Sequence, residues 1–279
     1  MFPVLAGVRQ DGVLSPTLFA IYMDALINRL ELSELGCNIN GIYLGCLLYA
    51  DDIILLSQSV TAMQFMLDIC GQFATAMDIK FNADKSVAMR IGSRYKVQCT
   101  SLQLCKRDLQ YVNTAKYLGV YIMASSKFMC NYDHYKLKFF RSFNAIYSKC
   151  ASAKSELVCV QLMKSYCLPV LMYAIEATWP SKSITKMLDN LVTLAIKKIF
   201  KLKEYDLIDN IRQNIGLCHI TDLCNIQKLK FMNRFLASST LQAKTILNIC
   251  SRNDLLLFEM FSLKVGCTYG AIIRSVASV

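Results

Sequence analysis

Apolar positions along the chain change their spacing several times, and each change predicts an element. Leu18, Ile21, Tyr22, Ala25, Leu26 and Leu30 recur with a helical period. Ser15-Pro16 precede them, with Ser15 suited to cap and Pro16 to the first helical position, where its missing N–H costs nothing. The stretch from Gly36 to Gly41 reads as a turn. Two short branched-rich runs follow, Ile42 to Leu48 and Ile53 to Leu56, and predict a β-hairpin over about 42–57. Met63, Met66, Leu67, Cys70, Phe73 and Met77 share one face of a helix expected from near Ser59 or Thr61. Short strand-like pieces come next, at 79–81, 87–91, 97–99 and 116–122. From about 130 the period is helical, predicting helices over 131–154, 156–176, 183–201 and 221–248. Ser183 is the expected cap of the third, with Ile184, Leu188, Leu191, Ala195 and Ile199 as its buried face. Pro169 is expected to kink or end part of the second. Residues 252–279 show no clear cap or period.

This order of elements predicts an α+β fold, with helices layered on a mostly antiparallel sheet in 1–125 and an all-helical region in 126–279. No internal repeat or low-complexity tract is present. The longest apolar runs are broken by charge before about 18 residues, so no membrane span is expected.

Charge sharpens the division. The chain's 31 basic and 20 acidic residues give a net charge of +11, but residues 1–125 hold ten of each. The whole excess lies in 126–279, as expected of a part that grips a phosphate backbone, although a solvated lysine-rich helical surface gives the same signal. Lys182, Lys186, Lys197, Lys198 and Lys201 crowd one segment and are expected to be exposed. The 13 cysteines are odd in number and form no Cys-x-x-Cys, which argues for reduced thiols in an intracellular protein without disulfides. His219 lies between Cys218 and Cys224, but not at zinc-ligand spacing.

The candidate chemistry sits in the hairpin, at Tyr49-Ala50-Asp51-Asp52. Two adjacent carboxylates between greasy strands need water, a cation or a metal, because an unpaired charge there is costly. Such a pair suits Mg²⁺, which takes a few carboxylate oxygens and completes its shell with water and substrate phosphates. A plain polar hairpin turn satisfies the tetrapeptide equally well.

The neighbouring residues add a resemblance. Gly7-Val8-Arg9-Gln10-Asp11-Gly12-Val13-Leu14-Ser15-Pro16-Thr17-Leu18-Phe19, Tyr49-Ala50-Asp51-Asp52, Ile79-Lys80-Phe81-Asn82-Ala83-Asp84-Lys85-Ser86 and Ala115-Lys116-Tyr117-Leu118-Gly119-Val120 resemble, in order, palm motifs B, C, D and E of the reverse transcriptases of non-LTR (LINE-type) retrotransposons. The resemblance covers about 4–125, and the basic helical remainder is more loosely similar to the thumb and downstream region. It implies a partial polymerase palm in 1–125, an antiparallel sheet with packed helices, followed by a thumb-like helical region in 126–279. The reaction implied is RNA-templated DNA synthesis, a nucleotidyl transfer with two Mg²⁺ (or Mn²⁺) ions.

By the same resemblance Asp51 is a metal ligand and Asp52 a supporting one, and Lys85 lies near the triphosphate. Arg9, Gln10, Gly12 and Tyr49 flank the incoming nucleotide, and Tyr117, Leu118 and Gly119 form the primer grip. Lys197, Lys198 and Lys201 are candidates for the nucleic-acid backbone. The implied partners are an RNA template, a DNA primer and dNTP, with no membrane, in the nucleus, the cytoplasm or both. Two departures stand out. The family's first catalytic aspartate lies upstream of motif B, and this sequence starts at motif B. Asp11 occupies a position where the family has glycine, which adds negative charge beside a triphosphate. The expectation is that the chain alone is inactive and that a missing N-terminal half of the domain is a partner. The alternatives are a non-catalytic nucleic-acid-binding remnant and a decayed copy with no selected function.

Overall fold

The structure is a computed structural model, and it describes residues 12–39, 41–153, 155–203 and 208–240. The fold is mixed, with helices alongside small sheets. The chain divides into two compact units, residues 1–115 with 124–127 and residues 116–123 with 128–279.

In the first unit, helix α1 spans Ser15–Leu32 and helix α2 spans Val60–Ala76. The hydroxyl of Ser59 accepts the Ala62 N–H at 3.1 Å and caps α2. Leu14, not Ser15, stands at the N-cap of α1, and no side-chain cap bond forms there. The buried stripe of α1 is also rotated from expectation. Met23, Leu26 and Leu30 are buried, whereas Leu18 and Ile21 are exposed. The stripe follows the packing partner, since α1 meets α2 around Phe73. The Arg29 guanidinium lies 5.3 Å from the Phe73 ring centroid, and the Tyr22 hydroxyl donates to the Met77 carbonyl at 2.5 Å.

Seven short strands belong mainly to this unit: β1 Asn38–Ile39, β2 Ile42–Tyr43, β3 Cys46–Tyr49, β4 Asp52–Leu55, β5 Val87–Ala88, β6 Leu102–Leu104 and β7 Arg107–Tyr111. β1 pairs with β2 and β3 with β4, both antiparallel. β7 lies between β5 and β6, parallel to β5 and antiparallel to β6. Gln64 on α2 docks on β6, donating to the Gln103 carbonyl at 2.9 Å and accepting the Gln103 N–H at 2.8 Å. Its amide thus takes the place of a neighbouring strand. The pieces expected as strands at 79–81 and 97–99 are irregular. Pattern alone could not exclude them, because short apolar runs without a pairing partner carry no fixed structure.

The expected strand over 116–122 is also broken. It is a hairpin of β8 (Thr114–Tyr117) and β9 (Val120–Met123), turned at Leu118-Gly119, where both residues have positive φ. The division between the two units falls within β8. β9 pairs in turn with β10 (Met129–Cys130).

The second unit is helical beyond this hairpin. Helix α3 spans Asp133–Ala153. The expected helix over 156–176 is instead a series: α4 (Glu156–Leu162), a π-helical turn (Met163–Cys167), α5 (Leu168–Leu171) and α6 (Ile175–Thr178). Pro169, without an N–H to donate, lies just past the π turn, and Ala174 is left-handed with φ 52°. By length and composition Glu156–Thr178 could cross a membrane, against the sequence expectation. In the fold its broken course buries Cys159, Val160, Met163, Cys167, Leu171 and Ile175 in the core.

Helix α7 spans Lys182–Phe200 and is capped by Ser181 rather than Ser183, with the Ile184 N–H 3.4 Å from its hydroxyl. Leu188, Leu191, Ala195 and Ile199 are buried as expected, with Val192 and Ile196 widening the face. Helices α8 (Ile208–Asn214) and α9 (Ile220–Leu236) follow. The expected helix over 221–248 ends at Leu236, and its last residues, like 252–279, lie outside the described residues. The core of this unit is built on Phe139 and Phe143, whose rings stack at 6.1 Å, with Met163, Leu188, Val192, Ile196 and Ile220 around them.

Candidate functional site

The acidic hairpin forms because β3 and β4 are apolar and in register, with Tyr49 opposite Asp52. That register leaves Ala50-Asp51 as a two-residue loop. Ala50 takes φ 52°, the left-handed conformation such tight hairpins need. In an antiparallel pair, opposed residues share a face. Cys46, Leu48, Ile53 and Leu55 therefore face the core of the first unit. Leu47, Tyr49, Asp52 and Ile54 share the other face, on which Leu47 and Tyr49 are exposed. At the foot of the hairpin Gly36 adopts φ +107°. A Cβ there would lie 2.9 Å from the Gly45 Cα, so only glycine lets the two backbones approach.

Asp51 and Asp52 are both exposed, and among the described residues neither carboxylate has an ion pair or a side-chain hydrogen bond. Two free carboxylates held on one tight turn are suitable hard donors for Mg²⁺. Among the described residues, no third Asp, Glu, His or Cys joins them in a group able to hold a metal. The hairpin thus presents two carboxylate donors, short of a full set of metal ligands among the described residues.

The remaining sequence candidates are distributed as follows. Tyr49 stands beside the acidic pair, with its ring in solvent. Lys85 is exposed on a separate turn, where its N–H donates to the Asn82 side-chain oxygen at 3.1 Å. Next to it Asp84 pairs with Arg107 at 3.1 Å on an open surface, where such a pair adds little stability. Gly12 accepts the Ser15 N–H at 3.1 Å ahead of α1. Arg9 and Gln10 lie outside the described residues, as does Asp11.

Tyr117, Leu118 and Gly119 belong to the second unit. Tyr173 donates its hydroxyl to the Leu118 carbonyl at 2.8 Å, a contact between residues 55 apart that no local pattern signals. Of the three candidate lysines, Lys198 and Lys201 are exposed and Lys197 is half-buried. Lys198 is held against α3, 4.8 Å from the Tyr147 ring centroid and 3.2 Å from Asn144 Oδ1. Lys201 has φ 55° and closes the end of α7 through its N–H.

His219 has a structural setting that sequence reasoning missed. Its Nδ1 lies 3.2 Å from Asp189, which also holds buried Arg212 through both carboxylate oxygens. Near the hairpin of the second unit, His134 packs on Tyr121 at 4.6 Å. Desolvation first, then Lys138, Lys116 and Arg141, lower its pKa below the usual histidine value.

Comparison with known proteins agrees with the motifs. Residues 2–122 match the family described as reverse transcriptase (RNA-dependent DNA polymerase). The chain is 31% identical over 133 residues to the Retrovirus-related Pol polyprotein from type-2 retrotransposable element R2DM of Drosophila melanogaster, covering 45% of this chain and 12% of that protein. It is 27% identical over 124 residues to the RNA-directed DNA polymerase from mobile element jockey of the same species, covering 42% and 13%. A match at 25% identity over 215 residues, to the Retrovirus-related Pol polyprotein from type-1 retrotransposable element R2 of Popillia japonica, covers 70% of this chain and 32% of that protein. This last match reaches past residue 122 into the helical unit. The chain thus spans between about an eighth and a third of these relatives. With the acidic hairpin inside the matched stretch, residues 2–122 are similar to a segment of reverse transcriptase domain of the non-LTR retrotransposon kind.

Proposed function

We propose that this chain supplies part of the catalytic centre for RNA-templated DNA synthesis, with dNTP, an RNA template and a DNA primer as substrates. The observation that carries the reading is the exposed, unpartnered Asp51-Asp52 pair on a tight hairpin within the matched segment. In the complete enzyme two Mg²⁺ ions, about 3.5–4 Å apart, would activate the primer 3′-hydroxyl and neutralise the leaving pyrophosphate. Asp51 is the ligand on the loop, and Asp52, at the end of β4, supports it. In this reading Tyr49, opposite Asp52, packs beside the nucleotide, and the resemblance gives Gly12, Arg9 and Gln10 the same role. Lys85, exposed and unburdened by a carboxylate of its own, offers a proton to the leaving group.

Because the pair lacks a third carboxylate among the described residues, the isolated chain is expected not to polymerise. A further carboxylate, brought by another part of the domain, completes the site. Primer extension on poly-rA/oligo-dT with Mg²⁺ tests this. Incorporation by the chain alone, lost on Asp51→Ala, overturns the expectation of inactivity.

A second reading rests on the excess of positive charge in 126–279. Here the chain binds nucleic acid without catalysis. Binding would be salt-sensitive, survive Asp51→Ala, and weaken when Lys197, Lys198 and Lys201 are neutralised. Salt-independent binding rejects it.

A further inference from the structure

We propose that Tyr173 is a positioning residue that holds the Leu118-Gly119 turn in shape for a primer end. The proposal rests on the reading of Tyr117, Leu118 and Gly119 as the primer-contacting turn. Leu118 and Gly119 both have positive φ, 44° and 81°. Glycine adopts this conformation freely, but a bulky residue such as Leu118 is disfavoured there. Its side chain is 38% exposed, so burial alone does not hold it. Tyr173 makes two contacts with the turn. Its hydroxyl donates to the Leu118 carbonyl at 2.8 Å, and its ring covers Gly119 so closely that a Cβ would lie 2.9 Å from the ring. Tyr173 reaches the turn from the break between α5 and α6, where Ala174 is left-handed. The ring itself is 51% exposed, a large apolar surface held out of the core. Strained backbone of this kind persists only where its surroundings fix it. Here the Tyr173 side chain fixes one carbonyl of the turn and crowds the position beneath its ring, where a Cβ would force the ring to shift.

The test uses the full chain bound to an RNA–DNA hybrid whose primer ends in 4-thiothymidine. Ultraviolet crosslinks are mapped by mass spectrometry and normalised to bound hybrid. Wild type is expected to crosslink within 114–123. Tyr173→Phe keeps the ring but loses one hydrogen bond, and should lower that yield roughly three- to tenfold. Amide exchange at 118–120 in the free chain should quicken by a similar factor. Gly119→Ala, which drives a methyl group into the same ring, should give the same loss from the other partner. Unchanged crosslinking and exchange in Tyr173→Phe overturn the role of Tyr173 and leave the primer-end reading intact. Bound hybrid without crosslinks in 114–123 of wild type, or no binding at all, overturns the primer-end reading and with it the proposal. Amide exchange then still reports whether the clasp exists.

Discussion

Asp189→Ala should unfold the second unit at far lower denaturant than wild type. Arg212 is 2% exposed, and its guanidinium is held by Asp189 in a two-pronged pair at 3.0 and 3.1 Å. Thr193 Oγ1 at 2.9 Å and the Cys218 carbonyl at 3.5 Å take further bonds, while Arg212 Nε is buried with no partner among the described residues. Asp189 also accepts the Ile220 N–H at 2.9 Å at the start of α9, so one carboxylate ties α7, α8 and α9 together. Removing it strands a buried cation and frees a helix terminus. The expected loss is about 3–5 kcal/mol, the range for breaking one side of a buried pair. Arg212→Met leaves the better-solvated partner, whose side chain is 19% exposed and keeps its bonds to Ile220 and His219. It should cost less, and the double variant should recover part of the loss of Asp189→Ala. Trp179, the sole tryptophan, lies in the second unit with Lys228 4.4 Å above its ring. Its fluorescence during urea unfolding therefore reports that unit alone. A loss under about 1 kcal/mol for Asp189→Ala, or strict additivity of the two substitutions, would refute the reasoning.

Two other outcomes follow from the same contacts. Ser59→Ala should destabilise α2 by about 1 kcal/mol, seen as faster amide exchange in its first turn, and unchanged exchange there would refute the cap. The urea midpoint under reducing conditions should fall as pH rises from 9 toward 12. Burial pushes Cys46, Cys167 and Cys224 from 9 up to about 11 and Cys70 up to about 12, and likewise Tyr43, Tyr132 and Tyr135 from 10 up to about 12. The unfolded chain then loses these protons first, so stability is complete below pH 9 and is lost as the folded values are passed. A flat or rising midpoint would contradict this.

Residue order alone determined the acidic hairpin, the helical face of α2, most of the buried face of α7, and the likeness of residues 2–122 to a reverse transcriptase family. These are local facts: alternation, helical spacing and contiguous motifs all act within a few residues. Tertiary structure alone decided the rest. The buried stripe of α1 turned toward Phe73, because the packing partner and not the period selects the face. The strand expected over 116–122 became a hairpin, since the two positive-φ residues at its centre are sustained by Tyr173, 55 positions away from Leu118. The apolar stretch 156–178 became a broken series of helices within the core, where a π turn and a left-handed Ala174 fit their neighbours. No local pattern links Asp189 to Arg212 and His219, and the packing of α7, α8 and α9 brings them together. Contacts between distant residues depend on where whole elements pack, and single-sequence patterns carry no term for that.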